Sequence, residues 1–373
     1  MSQTRKNKLS LGEPAPWFKC RGQTNNQFGF DTIAGRYVVL SFFESAASNS
    51  GIEFIKKLKT LNTLFDDTNL CFFGVSTNPD DEKLKRVQDR VPGIRYFWDF
   101  DHAVSKLYGV IQDDASYQHL TYVLDPMLRI VAIFPDVSEP NSFQQLRDFL
   151  HALPKIAPAF ISQPQAPVLT IPYIFEPELC KALIDYYARQ GGEDSGFMRE
   201  VNGRTVGVID YAHKRRSDCS IEDERLRNAC MVRIHDRLVP EIKKAFQFSV
   251  TRMERYIIAC YDGSEEAHFR AHRDNTTKGT AHRRFAVSLF LNSGEYEGGH
   301  LRFPEFGSGL YSAPVGGAVV FSCSLLHEAT IVTKGQRYMF LPFLYDDAAS
   351  KIRQENAQFL DAGAPPIRND VEV

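Results

Sequence analysis

Between Pro154 and Pro167 the chain places four prolines (Pro154, Pro158, Pro164, Pro167) and a single charged residue, Lys155. Proline fixes φ and lacks an amide hydrogen, so neither a long helix nor a central strand can run through this stretch. It reads as a stiff linker. The 373 residues are therefore expected to form two bodies, with boundaries at 1–153, a linker at 154–166, and 167–373.

The two sides of the linker have different rhythms. Before it, the β-branched and aromatic runs Tyr37–Phe43 and Leu70–Val75 alternate with amphipathic or charged segments at Gly51–Asp66, Asp81–Val91, Asp101–Leu107 and Ser142–Leu153. Thr121–Leu124 and Ile130–Phe134 flank Asp125-Pro126 and read as a hairpin. Such alternation predicts an α/β sandwich with strands covered on both faces. After the linker, Pro177–Arg189 and Asp223–Phe246 have helical spacing of their apolar residues. From Met253 short strands follow one another: Met253–Tyr261, Arg284–Asn292, His300–Phe303, Ala318–Cys323 and Arg337–Tyr345. Gly298-Gly299, Gly316-Gly317 and Lys334-Gly335 mark turns between them. This texture predicts a mainly β domain, a double-sheet jelly roll with flanking helices and a core at about 250–346. The polar tail after Asp346 is expected to pack loosely.

Composition excludes several classes. A net charge of −2 at pH 7 gives no global attraction to nucleic acid or to an anionic membrane. Met1–Leu11 is polar and basic without an apolar run, which does not read as a signal peptide, and no apolar stretch is long enough to span a bilayer. The seven cysteines are scattered, odd in number and without a CxxC pair, which argues against a disulfide framework and a zinc site. A reducing cytoplasm is the expected compartment. Composition leaves homo-oligomerisation open.

His272-Arg273-Asp274 is the one H-x-D among ten histidines. A surface turn beside a strand end would give the same letters. Its position and the presence of His327 after the apolar strand Ala318–Cys323 favour a different reading. Two imidazoles and a carboxylate gathered by a jelly roll form the facial ligand set of non-haem Fe(II) sites, with open positions for co-substrate and O2. Arg337 lies ten residues beyond His327 on the next strand. A chelating dicarboxylate would leave its far carboxylate buried, and an arginine fork there would pair it.

Several motifs occur in order: Ala259-Cys260-Tyr261-Asp262-Gly263, His272-Arg273-Asp274, Gly298-Gly299-His300-Leu301-Arg302-Phe303-Pro304, Ala318-Val319-Val320-Phe321, His327 and Gly335-Gln336-Arg337-Tyr338. With Pro167–Pro172 and Leu179–Ile184 upstream, residues 165–346 resemble the prolyl 4-hydroxylase-type Fe(II)/2-oxoglutarate oxygenases. The resemblance implies His272, Asp274 and His327 as metal ligands and catalytic residues, and Arg337 as the 2-oxoglutarate clamp. It implies Tyr261 in the co-substrate pocket, although a core aromatic would occupy the same strand position. Phe290 departs from the tyrosine found in some relatives, and the spacing from Tyr261 to His272 is slightly long. The implied cofactors are Fe(II), 2-oxoglutarate and O2, with ascorbate (vitamin C) as reductant. The implied reaction is hydroxylation of a C–H bond, with succinate and CO2 released. Its substrate would be a peptide, protein or small molecule, with proline among the candidates. Lys214-Arg215-Arg216-Ser217-Asp218 would line the mouth or, more commonly for such a run, form a solvated loop.

Residues 10–152 resemble a peroxiredoxin, a thioredoxin-fold thiol peroxidase, through Gly12–Phe18, Tyr37–Phe43, Tyr108-Gly109-Val110 and Leu120–Asp125. That family's active loop, P-x-x-x-T-x-x-C, falls on Glu44 to Gly51, with Ser48 at the hydroxyl position and Gly51 at the cysteine position. His119 stands where an activating arginine is expected. Without a thiolate nucleophile there is no peroxidase chemistry, and Cys20 and Cys71 read as small buried hydrophobes. The domain is then a scaffold for substrate capture, dimerisation or cover. Two rival readings of the whole chain are a non-catalytic iron/2-oxoglutarate sensor or scaffold and a thiol-redox protein.

Overall fold

Tyr37–Glu44 and Leu70–Ser76 are apolar at nearly every position, which suits strands buried on both faces. They pair in parallel at the centre of the first sheet. The sheet order is Phe28–Gly29, Lys19–Gly22, Ile94–Trp98, Leu70–Ser76, Tyr37–Glu44, Leu120–Leu124, Ile130–Pro135. Alternate residues enter separate cores: Val38, Leu40, Phe42 and Phe73 on one face, Val39, Phe43 and Phe72 on the other. Helices Asn49–Thr60 and Pro140–Ala152 cover the second face through Phe54, Leu58, Leu146 and Leu150. The Asp125-Pro126 turn closes as expected, the Asp125 carboxylate accepting from Met127 N at 2.8 Å and Arg129 N at 2.9 Å.

The structure, a computed structural model, describes residues 9–111, 116–159, 165–361 and 371–372. Pro164 and most of the Met1–Leu11 segment lie outside them. The chain divides into two compact units, Met1–Phe160 and Ile161–Val373. No helix among the described residues is long and apolar enough to cross a membrane.

In the first unit one expected helix, Asp81–Val91, is only Pro79–Lys83. Asp81 is fully buried and accepts from Ala46 N at 2.8 Å, Ser76 Oγ at 2.7 Å and Arg86 at 3.1 Å. The chain turns at Lys85 (φ 51°), and Arg86 comes back to Asp81.

In the second unit the strands form two facing antiparallel sheets. The larger runs Arg252–Glu254, Phe343–Tyr345, Phe285–Phe290, Gln336–Phe340, Ile257–Asp262, Ser217–Ser220, with Ala318–Ser322 also beside Phe285–Phe290. The smaller runs Lys214–Arg215, His268–His272, His327–Ala329, Leu301–Arg302, Leu310–Tyr311. One core fills the space between sheets, including Tyr261, Phe290, Phe303 and Phe321. Another lies between the larger sheet and the helices Pro177–Gln190 and Glu224–Arg233. This is the jelly roll with flanking helices, so the chain as a whole is α/β followed by mainly β.

Four expectations are corrected. Arg337–Tyr345 is two strands, Gln336–Phe340 and Phe343–Tyr345, interrupted at Leu341-Pro342, where proline has no amide to donate. Asp223–Phe246 is not one regular helix: a π turn at Ile234–Leu238 separates Glu224–Arg233 from Val239–Phe246, just where Pro240 lacks an amide to donate. Met253–Tyr261 is two strands, broken at Arg255, whose φ of 68° no extended strand accommodates. The tail is not loose over its first turns. Asp346 caps the helix Asp347–Asn356 by accepting from Ala349 N at 2.8 Å, and Ala349 is fully buried.

Candidate metal centre

The antiparallel pairing of His268–His272 with His327–Ala329 sets His272 directly opposite His327. Both side chains project to one face, with ring centroids 4.3 Å apart. Asp274 lies just past the strand end, its amide anchored on the Cys323 carbonyl at 3.0 Å. Its Oδ1 is 3.6 Å from His272 Nε2 and its Oδ2 is 3.4 Å from His327 Nε2. These separations are long for hydrogen bonds and close to the roughly 3 Å between adjacent ligands on an ion with ~2.1 Å bonds.

The other ring nitrogens fix the tautomers. His272 Nδ1 donates to the Arg270 carbonyl at 2.7 Å, and His327 Nδ1 donates to the Leu325 carbonyl at 3.0 Å. A carbonyl only accepts, so Nδ1 carries a proton in each ring, and the neutral tautomer this selects leaves the Nε2 lone pair free. Burial, reinforced by His272, pushes His327 down from 6.5 to about 4, which keeps it neutral. Burial works against ionisation of Asp274, but His327 and His272, to the extent that they carry a proton on Nε2, and then Arg283 hold its carboxyl below the ordinary range. Two imidazoles and a carboxylate, with donor atoms within 4.8 Å of one another, fit a divalent ion. Phe269 stacks on His272 at 3.5 Å and Phe321 lies 4.5 Å from His327, so the rings have little freedom to turn away.

Arg337 faces Tyr261 across the register of the larger sheet. It is 1% exposed and its Nε has no acceptor. No carboxylate among the described residues forms an ion pair with it; its neighbours are the rings of Tyr261 at 4.9 Å and Phe290 at 5.4 Å. Gly299 makes room for it, since a Cβ there would come within 2.6 Å of Arg337 Cδ. A buried cation without a counter-ion is costly, and an anion from outside the chain would relieve it.

Arg337, Tyr261 and the three candidate ligands line one cavity of about 900 Å³. Such a volume holds a dicarboxylate beside a second molecule. Lys214 and Arg216 line it too, which corrects the solvated-loop reading of 214–218. They lie on the short strands Lys214–Arg215 and Ser217–Ser220 or between them, and both are buried. Lys214 donates to Ser195 Oγ at 2.7 Å and to the Gly196 carbonyl at 2.6 Å. Arg216 donates to Asp218 at 2.6 Å and to the Tyr261 hydroxyl at 3.4 Å. Tyr261 is thus both a core aromatic and a wall of the cavity.

Sequence reasoning missed a wall of charge behind the ligands. Buried Glu254 accepts from His282 at 2.8 Å and from Arg283 at 2.6 Å. Arg283 also reaches the Asp274 carbonyl at 3.4 Å. The usable signal was Glu254-Arg255 interrupting an otherwise apolar strand. Also missed was the hairpin Phe197–Val201/Arg204–Val208, several of whose residues line the cavity. Its Asn202-Gly203 turn, both residues at positive φ, is a legible hairpin signal.

In the first unit, Gly51 sits in the first turn of Asn49–Thr60, capped by Ser48 Oγ at 3.0 Å. A Cβ at Gly51 would lie 1.9 Å from the Ser45 carbonyl oxygen. His119 stands 3.8 Å from both the Glu44 and Asp136 carboxylates. Burial pushes the Cys20 and Cys71 thiols up to about 12, so neither supplies a thiolate. Gly51→Cys is therefore expected not to create a peroxidase: the backbone must shift, at a cost of ~1–3 kcal/mol or more. Thermal unfolding should show the loss, and peroxide decay should stay at the rate of a free thiol. Rapid decay in that variant would show the loop is still a working peroxidase frame.

Residues 11–133 match the AhpC/TSA family, and residues 256–345 match the 2OG-Fe(II) oxygenase superfamily. No curated protein matches the chain. Among solved structures the chain is similar to a Trichoplax adhaerens prolyl hydroxylase in complex with a hypoxia inducible factor peptide fragment. The two are 17% identical with a TM-score of 0.39, over 51% of this chain and 87% of that one. It is also similar to a Pseudomonas putida prolyl-4-hydroxylase (17% identical, TM-score 0.38, 48% and 93% covered). A third similarity is to Mycobacterium tuberculosis AhpC (17% identical, TM-score 0.32, 39% and 93% covered). The oxygenase superfamily implies Fe(II), 2-oxoglutarate and O2. The chain joins an AhpC/TSA thioredoxin-fold domain to a 2OG-Fe(II) oxygenase domain.

Proposed function

We propose that this chain is a 2-oxoglutarate-dependent dioxygenase that hydroxylates a C–H bond of a peptide, protein or small molecule, a prolyl residue being the first candidate. The observation that carries this reading is one cavity lined both by three convergent metal-type donors and by a buried arginine that has no counter-ion in the described chain. His272, Asp274 and His327 would hold the metal. Arg337 would take the far carboxylate of 2-oxoglutarate, with Tyr261 against its stem. Bound there, iron supplies O2 activation coupled to decarboxylation of 2-oxoglutarate to succinate and CO2, with one oxygen atom passing to the substrate.

The protein's own part is charge balance and orientation. Asp274 offsets part of the metal charge, the carbonyls of Arg270 and Leu325 aim the two Nε2 atoms, and Phe269 and Phe321 hold the rings. Ascorbate in a reducing cytoplasm would keep the metal ferrous. We assign the oxygenase to 167–373 after a linker at 154–166, and take 1–153 as a scaffold that has lost peroxide chemistry.

The test is a substrate screen with the full chain, Fe(II), 2-oxoglutarate and ascorbate, read by mass spectrometry. Prolyl peptides and small-molecule extracts are both included. A gain of one oxygen that requires 2-oxoglutarate supports the reading. An oxygen gain indifferent to 2-oxoglutarate overturns it.

A further inference from the structure

Among the cations that line the cavity is another arginine, ion-paired to no described residue, that the co-substrate does not account for. Arg255 stands at the break between strands Arg252–Glu254 and Ile257–Asp262 and lines the cavity. Its φ of 68° is the left-handed region, uncommon for a residue with a Cβ, and turns it out of the strand ladder. Its neighbours are already matched: Arg216 with Asp218 at 2.6 Å, and Arg283 with Glu254 at 2.6 Å. Among the described residues no carboxylate forms an ion pair with Arg255. Its Nε is buried without an acceptor, its one hydrogen bond among the described residues goes from Nη2 to the Leu341 carbonyl at 3.2 Å, and its guanidinium lies 4.2 Å over the Phe343 ring.

Arg337 shares this condition, and there the proposed function supplies a carboxylate. Arg255 is a separate group, stacked on Phe343 rather than on Tyr261. The charges near it make the surplus real. Burial, and then repulsion by Arg283 and Arg216, lower the guanidinium from 12.5 to about 10; Glu254 and Asp218 oppose this only in part, since each is already paired with one of those arginines, so Arg255 stays protonated and is the odd positive charge of the five. A cation kept in that state contributes little to a ligand-free fold and much to capture of an anion, because desolvated arginine forms strong paired bonds with carboxylates and phosphates.

We propose that Arg255 receives an anionic group, a carboxylate or a phosphate monoester, of the primary substrate, so that this oxygenase acts on an anionic molecule or side chain. The proposal rests on the oxygenase reading for the word substrate, but the anion site itself can be tested without it.

Acetate and inorganic phosphate are titrated calorimetrically into the metal-free full chain carrying Arg337→Met, which removes the co-substrate clamp. The same titrations are made after adding Arg255→Met or Arg255→Lys. Adding Arg255→Met should weaken the better-bound anion about tenfold or more, and adding Arg255→Lys should retain most of the affinity. Preference for phosphate would point to a phosphorylated substrate, preference for acetate to a carboxylate. With Arg337 intact, Arg255→Met should leave 2-oxoglutarate affinity unchanged. Its melting temperature should equal or exceed that of the unaltered chain, since a repelled cation is gone.

Three results would overturn the proposal. One is equal or absent anion binding with and without Arg255. A second is a loss of 2-oxoglutarate affinity in Arg255→Met as large as in Arg337→Met, which would make Arg255 part of the clamp. The third is a melting temperature lowered in Arg255→Met and restored in Arg255→Lys with no change in anion binding, which would make it a packing residue on Phe343. Failure of the unaltered chain to bind 2-oxoglutarate with Fe(II) would instead count against the oxygenase reading alone.

Discussion

Replacing His272 or Asp274 by alanine should abolish the weak visible charge-transfer band expected when Fe(II) and 2-oxoglutarate are added without oxygen. The three donors converge so closely that each would supply one corner of the same coordination face. Removing one leaves two, and the Nδ1 bonds that aim the remaining imidazoles cannot replace the lost donor. Loss of an outer-shell partner alone costs ~10–100-fold in metal affinity, so loss of a ligand should cost roughly a hundredfold or more. Asp274→Ala should be the more severe, because it also removes the one carboxylate among the three donors. Retention of the band in both variants would mean the ion is held elsewhere.

Arg337→Ala is expected to weaken 2-oxoglutarate far more than Fe(II). It leaves the three donors untouched and removes only the partner of the far carboxylate. Truncating one side of a buried charge pair typically costs ~2–5 kcal/mol, or roughly thirtyfold to a few thousandfold in affinity. The fold should not suffer equally: Arg337 has no acceptor for its Nε and no ion pair among the described residues, so its loss breaks few internal bonds. Calorimetry on the metal-loaded protein separates the two effects. Unchanged 2-oxoglutarate affinity, or equal losses for metal and co-substrate, would rule out the clamp role.

The metal residues were legible because strand registration turns spacing into geometry. A histidine at the end of one strand, a carboxylate two residues on, and a histidine opening a later strand of the same sheet must meet if the two strands pair, and His272 does face His327. Arg337 was legible for the same reason, as it faces Tyr261 one strand away. The buried charges were not. Whether Lys214 or Arg216 is solvated or enclosed depends not only on Asp218, two residues past Arg216, but on Ser195 and Tyr261, which the fold brings to them from other segments. A run of like charge contains none of that information. Asp81 misled in the same way: its segment has a charged helical pattern, but the carboxylate is taken up by Ala46, Ser76 and Arg86, and the helix stops. Arg255 was visible only as part of Glu254-Arg255 in an otherwise apolar run, and that run made two strands look like one. The Gly51 position was legible as a missing cysteine, but not that the Ser45 carbonyl occupies the space a side chain would need.

Turnover in the absence of any added substrate tests the central claim most directly. The full chain, given Fe(II), 2-oxoglutarate, ascorbate and O2, should convert 2-oxoglutarate slowly to succinate and CO2, with one atom of labelled O2 appearing in the succinate. Asp274→Ala should show none of it, and Arg337→Ala should need much higher 2-oxoglutarate. Binding of Fe(II) and 2-oxoglutarate without labelled succinate, or labelled succinate formed equally well by Asp274→Ala, would contradict the account: the first would make the site a sensor, the second would place the chemistry outside it.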